Sequence, residues 1–473
     1  MNAVSTALRR TENTLLVGTL AVSTILPLVD LIGGALAGFR LSATHTYVQQ
    51  ATLWLAFVGG LAATQEGSHL TLSTTEFLRE GRARHLSRLF GYSVAAAITA
   101  VLSYASAKFV LANRSEATLP IGVPEWMSAM VMPVALGLMS LVFAWKTSDR
   151  WWGRAIGLLA IPAVFAISFV PDEWAASVWP LHLVVIAGTL LGTPVFAAMG
   201  GIACVGFFSE STTVAAVSSQ VYRLLASETL PAIPLLTAAG YVLAESAAAE
   251  RLVRFFRALF GWMPGGVAIM VAAVCAMFTT FTGGSGVTII ALGGLVYPIL
   301  RRDGYSEGFS LGLVTASGSL GLLFPPSLPV LLYSIAASTR DQVVPVTDLY
   351  IAGFLPGLLL VLITAAYGIV IGREAGRERQ RFTWGEVARA TWHAKWELLL
   401  PVVIVGLFMS GVATMLQTAA AAPAYAVVVE CFITRDLHLF RSLPHVLLKA
   451  AALMGAVLIL LSIAMGLTNY LVD

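Results

Sequence analysis

Three short runs carry groups that could hold a small ion or solute: Thr282-Gly283-Gly284-Ser285-Gly286 with Thr288, Ser317-Gly318-Ser319, and Pro325-Pro326-Ser327. Glycine permits backbone conformations and close approaches that other residues forbid, while Thr282, Ser285 and Thr288 supply hydroxyl oxygens. Proline frees carbonyls that an unbroken helix would bond internally. Freed carbonyls and hydroxyls are hard oxygen ligands, suited to Na⁺ by the logic that governs other hard cations. Gly283, Ser285, Ser319 and Pro325 are the candidate Na⁺ contacts. A helix restarting after each break would turn its positive N-terminal end toward a carboxylate, so an anionic solute needs no Arg or Lys in these stretches.

The elements that must position these residues follow from charge spacing. Between Arg257 and Arg301 the chain runs for 43 residues without a charged side chain. As one straight helix that run would be roughly 65 Å long, about twice the hydrocarbon thickness of a bilayer. It must turn back, and arginine at both ends puts both ends on one side, which predicts a re-entrant hairpin over 262–300. A hairpin tip of glycine and hydroxyl residues is tolerated at membrane depth only where it lines a cavity. Residues 308–339 are again uncharged, and Pro325-Pro326 predicts a broken helix there.

Composition agrees with a polytopic all-α membrane protein: 473 residues, 58% hydrophobic, 11% charged, mean hydropathy +0.84. Soluble domains carry about 25% charge. The net charge of +3 is small, and its arginines cluster in short connections between apolar runs, so nothing points to nucleic acid. Cys204, Cys275 and Cys431 lie far apart in apolar stretches without CxxC spacing, and the seven histidines form no HExxH, which argues against a metal centre. Asp30, Glu245 and Glu430 fall near span ends, where interfacial solvation is the simple reading. No phosphate-binding loop is present, so ATP is not the energy source.

Letting Arg and Lys choose the cytoplasmic side gives one path, with the N-terminus cytoplasmic behind Arg9 and Arg10 and a first span retained from Leu15 onward. Spans 14–37, 46–65, 89–111 and 126–145 form a four-span unit, and 155–170 leads out to Pro171-Asp172-Glu173-Trp174. Runs 181–192, 194–209 and 228–246 follow, then an interfacial helix over 248–260, the hairpin, the broken helix, span 349–372 and a basic linker. Runs 397–412, 417–433 and 450–468 repeat the earlier three upside down, the signature of inverted-repeat transporters.

The order Thr282-Gly283-Gly284-Ser285-Gly286, Ala316-Ser317-Gly318-Ser319-Leu320-Gly321 and Pro325-Pro326-Ser327-Leu328-Pro329 resembles the large membrane subunit of tripartite ATP-independent periplasmic (TRAP) transporters. Glu250-Arg251-Leu252-Val253 and Pro264-Gly265-Gly266 are similar too, and Glu66-Gly67-Ser68-His69-Leu70 resembles a motif of the small subunit. The resemblance implies a fused chain: 1–150 a small-subunit-like four-helix scaffold, 151–178 a connector, 179–392 the large subunit's first repeat, and 393–473 the start of an inverted second repeat. It implies an elevator-type carrier in the bacterial inner membrane that takes up an organic acid on a Na⁺ gradient, without a further cofactor, from a periplasmic solute-binding protein. Gly286-Val287 departs from the family's hairpin tip. The family also continues through a second hairpin and second broken helix, for which the sequence to Asp473 holds no counterpart, so a non-transporting scaffold or assembly subunit is the alternative. An intramembrane hydrolase would need a His or Asp partner for Ser285 or Ser327, and none is evident.

Overall fold

The structure, a computed structural model, describes residues 2–39, 41, 43–72, 81–114, 118–120, 122–166, 179–210, 212–338, 343–374 and 382–472. Its long uncharged runs fold as helices, the form in which one segment pairs all its own N–H and C=O groups away from water. In chain order these are α1 (Asn2–Ala37), α2 (Thr44–Glu66), α3 (Arg82–Ala112), α4 (Glu125–Ala129), α5 (Val131–Lys146), α6 (Trp151–Ala166), α7 (Trp179–Leu190), α8 (Val195–Ser209), α9 (Ala215–Leu225) and α10 (Ala232–Ala244). Then come α11 (Ala248–Phe260), α12 (Gly266–Thr282), α13 (Ser285–Arg302), α14 (Glu307–Ser317), α15 (Leu328–Ala337), α16 (Val346–Glu374), α17 (Trp384–His393), α18 (Lys395–Met409), α19 (Met415–Val427) and α20 (Leu443–Val472).

Among the described residues, 6 helices are long and apolar enough to cross a membrane, and up to 9 spans result if each of three bent pairs counts as one. The bends are 75° between α10 and α11, 51° across the break before α15, and 65° between α17 and α18. Most expected spans coincide with helices to within a few residues. Helix α9 was not foreseen, because Ser218, Ser219, Gln220 and Arg223 break up its apolar run in sequence, although the helix is amphipathic and buries Val217, Val221, Leu224 and Leu225. The expected span 155–170 is helical to Ala166, and its last residues, Pro171-Asp172-Glu173-Trp174, Arg79, Arg377, Arg379 and Arg381 lie outside the described residues.

The chain forms two compact units: Met1–Leu20 with Ala43–Glu228 and Ala451–Asp473, and Ala21–Ser42 with Thr229–Ala450. The two units group residues otherwise than the sequence division at 150, 178 and 392: 179–228 fall with 43–150, and 21–42 fall with 229–450. Helices in lipid gain nothing from hiding apolar surface from each other, so they associate by close packing of small residues. In the first unit Gly59 of α2 meets Gly455 of α20 so closely that a Cβ added at Gly455 would lie 2.3 Å from the Gly59 carbonyl carbon. Two polar groups there find partners at the end of α2. His69 Nε2 sits 2.8 Å from Thr64 Oγ1 and 3.1 Å from the Gly60 carbonyl, while Lys146 Nζ donates to the Thr64 and Gln65 carbonyls at the end of α2. In the second unit α12 is the central helix, packed by α10, α11, α13 and α16.

Candidate functional site

Helix α12 ends at Thr282 because Gly283 takes a left-handed conformation (φ 65°) and donates its N–H back to the Thr279 carbonyl. Gly284 is extended (φ −140°, ψ 125°), and α13 begins at Ser285. The two helices, about 25 Å each, pack on one another across this two-residue break. The second interruption lies where the prolines require it: α14 stops at Ser317, a 3₁₀ turn spans Leu320–Leu323, and α15 restarts at Leu328 after a cis Pro325-Pro326 bond.

The two breaks meet. Leu328 lies against Gly283, where an added Cβ would come within 2.7 Å of the leucine Cβ, and Gly318 lies 3.1 Å in the same sense from the Ser285 carbonyl. Between them sits a cluster of hydroxyls and carbonyls. Thr279 Oγ1 is 2.7 Å from the Cys275 carbonyl, 3.0 Å from Thr288 Oγ1 and 3.0 Å from the Gly318 carbonyl. Thr282 Oγ1 and Thr288 Oγ1 are 2.8 Å apart, and Thr288 Oγ1 is 3.4 Å from the Gly284 carbonyl. Thr279, Thr282 and Thr288 are buried. Each hydroxyl has one proton to donate, so acceptor oxygens around Thr279 outnumber the protons that can reach them. A cluster with surplus lone pairs and, among the described residues, no carboxylate bonded to it suits a monovalent hard cation.

The sequence-selected residues separate into two groups. Thr282, Gly283, Gly284, Thr288 and Gly318 come together at the cluster, and Ser317 Oγ is buried without a hydrogen-bond partner among the described residues. Ser319 is exposed and donates to the Ala316 carbonyl of its own turn, and Gly286 is exposed with open space around its Cα. Ser285 is half-buried at the start of α13. Ser327 is buried and donates to the Leu322 carbonyl, while its own carbonyl accepts from Tyr350 Oη at 3.0 Å. Pro325 lines an open cavity of about 320 Å³ with Thr280, Phe281, Phe324 and Pro401, and Pro326 abuts Tyr350 and Thr418. Thr279, Thr280 and Tyr350 were not singled out from sequence. Threonine at 279, three residues before Thr282 on the same helix face, was the available signal.

A second polar cluster lies in the same unit. Arg251 donates through Nε to Glu397 Oε1, through Nη1 to Asp436 Oδ2 at 2.6 Å and through Nη2 to both oxygens of Glu430 at 2.9 and 3.0 Å. Glu397 and Glu430 are buried, and Thr434 Oγ1 donates to Glu430 at 3.0 Å. Asp30 is also buried and accepts from Leu41 N and Gln417 Nε2, both at 2.7 Å. Interfacial solvation therefore describes Glu245, which pairs with Lys449 near the surface, but not Asp30 or Glu430.

An all-α polytopic membrane protein with two touching helix interruptions around a buried oxygen cluster defines a class, that of membrane proteins built on discontinuous helices. The chain belongs to the TRAP transporter family: residues 182–472 match the family described as tripartite ATP-independent periplasmic transporter, DctM component, and residues 24–153 match that described as its DctQ component. Small and large subunits are thus fused in one chain. It is 33% identical over 263 residues to the C4-dicarboxylate TRAP transporter large permease protein DctM of Vibrio cholerae, covering 54% of this chain and 56% of that one. It is 29% identical over 357 residues to the isethionate TRAP transporter permease protein DctMQ of Oleidesulfovibrio alaskensis, covering 72% and 54%. With the ectoine/5-hydroxyectoine TRAP transporter large permease protein UehC of Ruegeria pomeroyi the identity is 31%, covering 55% and 60%. The chain spans little more than half the length of these curated relatives.

Proposed function

We propose that the chain is the membrane part of a Na⁺-coupled secondary transporter, taking up a small organic acid handed over by a periplasmic solute-binding protein. The observation that carries the reading is the buried oxygen cluster of Thr279, Thr282, Thr288, Gly284 and Gly318, where acceptors exceed donors. Na⁺ bound there supplies the missing positive charge, and the start of α13 directs further N–H dipoles toward an anionic solute. The relatives' printed substrates, C4-dicarboxylates, isethionate and ectoine, motivate the solute class. On the same footing, 1–150 acts as small-subunit scaffold, 151–178 as connector, and 179–392 and 393–473 as parts of two inverted repeats, moving by an elevator in the inner membrane with the N-terminus cytoplasmic. Reconstitution in proteoliposomes with the binding protein tests it: uptake driven by an inward Na⁺ gradient is expected. Uptake indifferent to Na⁺ overturns the coupling, and docking of the binding protein without any uptake turns the reading to a scaffold.

A further inference from the structure

Two amphipathic helices of the second unit, α11 and α17, each meet an apolar helix at a sharp bend and pack against one another. Helix α11 carries arginine at 251, 254 and 257. Arg251 is turned inward and taken up by Glu397, Glu430 and Asp436, which fixes the helix by its inner edge. Arg254 and Arg257 are exposed, Arg254 pairing only loosely with Glu250 at 3.4 Å while its side chain stays 70% exposed. Helix α17 and the first turn of α18 add Arg389, exposed and without an ion pair among the described residues, and Lys395. Outside the buried cluster, the described residues of α11, α17 and the first turn of α18 place Arg254, Arg389 and Lys395 beside two carboxylates, Glu250 and Glu386.

The same surface exposes rings that a protein interior would cover. Trp384 is 77% exposed, Trp392 69% and Trp262 45%. Trp262, Phe382 and Trp384 form a continuous edge-to-face row with centroids 5.7 and 5.0 Å apart, joining the end of α11 to the start of α17. Lys395 Nζ sits 3.5 Å from the Trp392 ring centroid and 5.1 Å from that of Trp396, a cation–π arrangement that holds its charge beside the rings. Tryptophan beside Arg and Lys, on helices lying off the span direction, is the arrangement that settles at the headgroup level of a bilayer.

We propose that α11 and α17 form a clamp for the headgroups of anionic phospholipids, with Arg254, Arg389 and Lys395 binding the phosphates and Trp262, Trp384 and Trp392 seated among the upper acyl chains. Charge complementarity selects an acidic lipid over a zwitterionic one, because a phosphatidylcholine headgroup carries its own cation to repel this surface. A juxtamembrane cation adds about fivefold in affinity for an anionic surface, so losing one should weaken binding by about that factor. The contact also ties lipid composition to α11, the helix whose other edge is held by the Arg251 cluster.

The test uses the whole chain purified in a neutral detergent, with phosphatidylglycerol or phosphatidylcholine added in steps, read by native mass spectrometry for retained lipid and by the unfolding midpoint. Wild-type protein should retain phosphatidylglycerol preferentially and gain more thermal stability from it, with the gain shrinking as salt rises. Arg389→Gln should lower the apparent affinity for phosphatidylglycerol about fivefold without moving the midpoint in phosphatidylcholine. The combined Arg254→Gln, Arg389→Gln and Lys395→Gln variant should abolish the preference. Equal retention of both lipids by wild-type protein, or an undiminished preference in Arg389→Gln, overturns the proposal. If the triple variant does not fold, the single variant and the salt dependence decide it.

Discussion

The hydroxyls of Thr279 and Thr288 are the side chains on which the proposed cation site depends, since they bond each other at 3.0 Å within the hairpin and Thr279 reaches across to the Gly318 carbonyl of the second break, also at 3.0 Å. Replacing Thr288 by Val keeps its shape and removes one oxygen from a closed cluster. A lost ligand or hydrogen bond of about 1–2 kcal/mol corresponds to a rise of about tenfold in the Na⁺ concentration for half-maximal uptake. Uptake measured against Na⁺ should show that rise, with Thr315→Val, an exposed hydroxyl on α14, unchanged. A different residue sets an acid limit on stability. Burial, opposed by a hydrogen bond to the Gly60 carbonyl and reinforced by the Lys146 charge, lowers His69 from 6.5 to about 4. The folded protein thus binds fewer protons here than the unfolded chain between those values. Stability from this group is complete above pH 6.5 and falls toward pH 4, by an amount on the order of 3 kcal/mol. A His69→Gln variant should show a flatter unfolding midpoint across that window, and an unchanged slope would refute the assignment.

At the scale of elements, helix ends decide the geometry. Gly283→Ala would place a side chain at φ 65° and 2.7 Å from Leu328 Cβ, so both the backbone and the contact between the breaks resist it. The expected loss is about 1–3 kcal/mol in unfolding, with a larger fractional loss of Na⁺-driven uptake because the cluster sits on this turn. Arg251 joins α11 to Glu397, to Glu430 in the turn after α19 and to Asp436 in the following loop. Removing it leaves buried carboxylates without their cation, so Arg251→Ala should cost about 3–5 kcal/mol, and Asp436→Asn, at the more exposed partner, far less. Equal effects would mean that the cluster is not organised around its arginine. The two breaks were legible in the sequence, because an uncharged run too long for the bilayer and a Pro-Pro pair constrain the backbone locally. The Arg251 cluster was not, since its partners lie 146, 179 and 185 residues away. Thr279 was hidden for a related reason: an intrahelical bond to Cys275 would satisfy it, and only the approach of Gly318 gives it a second role.

The whole molecule is assembled from segments distant in sequence, with α1 and α20 each contributing to both compact units. Charge spacing located the spans, yet it could not say that residues 451–473 return to pack with the first helices, because that depends on which small residues allow backbones to touch. Gly59 and Gly455 make this contact: a Cβ at Gly59 would meet the Ala451 carbonyl at 2.6 Å, and one at Gly455 would meet Gly59 Cα at 2.4 Å. Neither neighbour is a flexible side chain, so the helices must separate to admit a methyl group. Glycine inside a helix otherwise destabilises it relative to alanine by about 0.5–1 kcal/mol. The two tendencies oppose each other, and overpacking, at about 1–3 kcal/mol, should win at Gly455. At Gly18 of α1, with nothing within 4 Å, the helical preference should act alone. Gly455→Ala is therefore expected to lower the unfolding midpoint of the protein in detergent and Gly18→Ala to leave it level or raise it. The same sign at both positions would show that the closure of the first unit does not rest on the approach of α2 and α20.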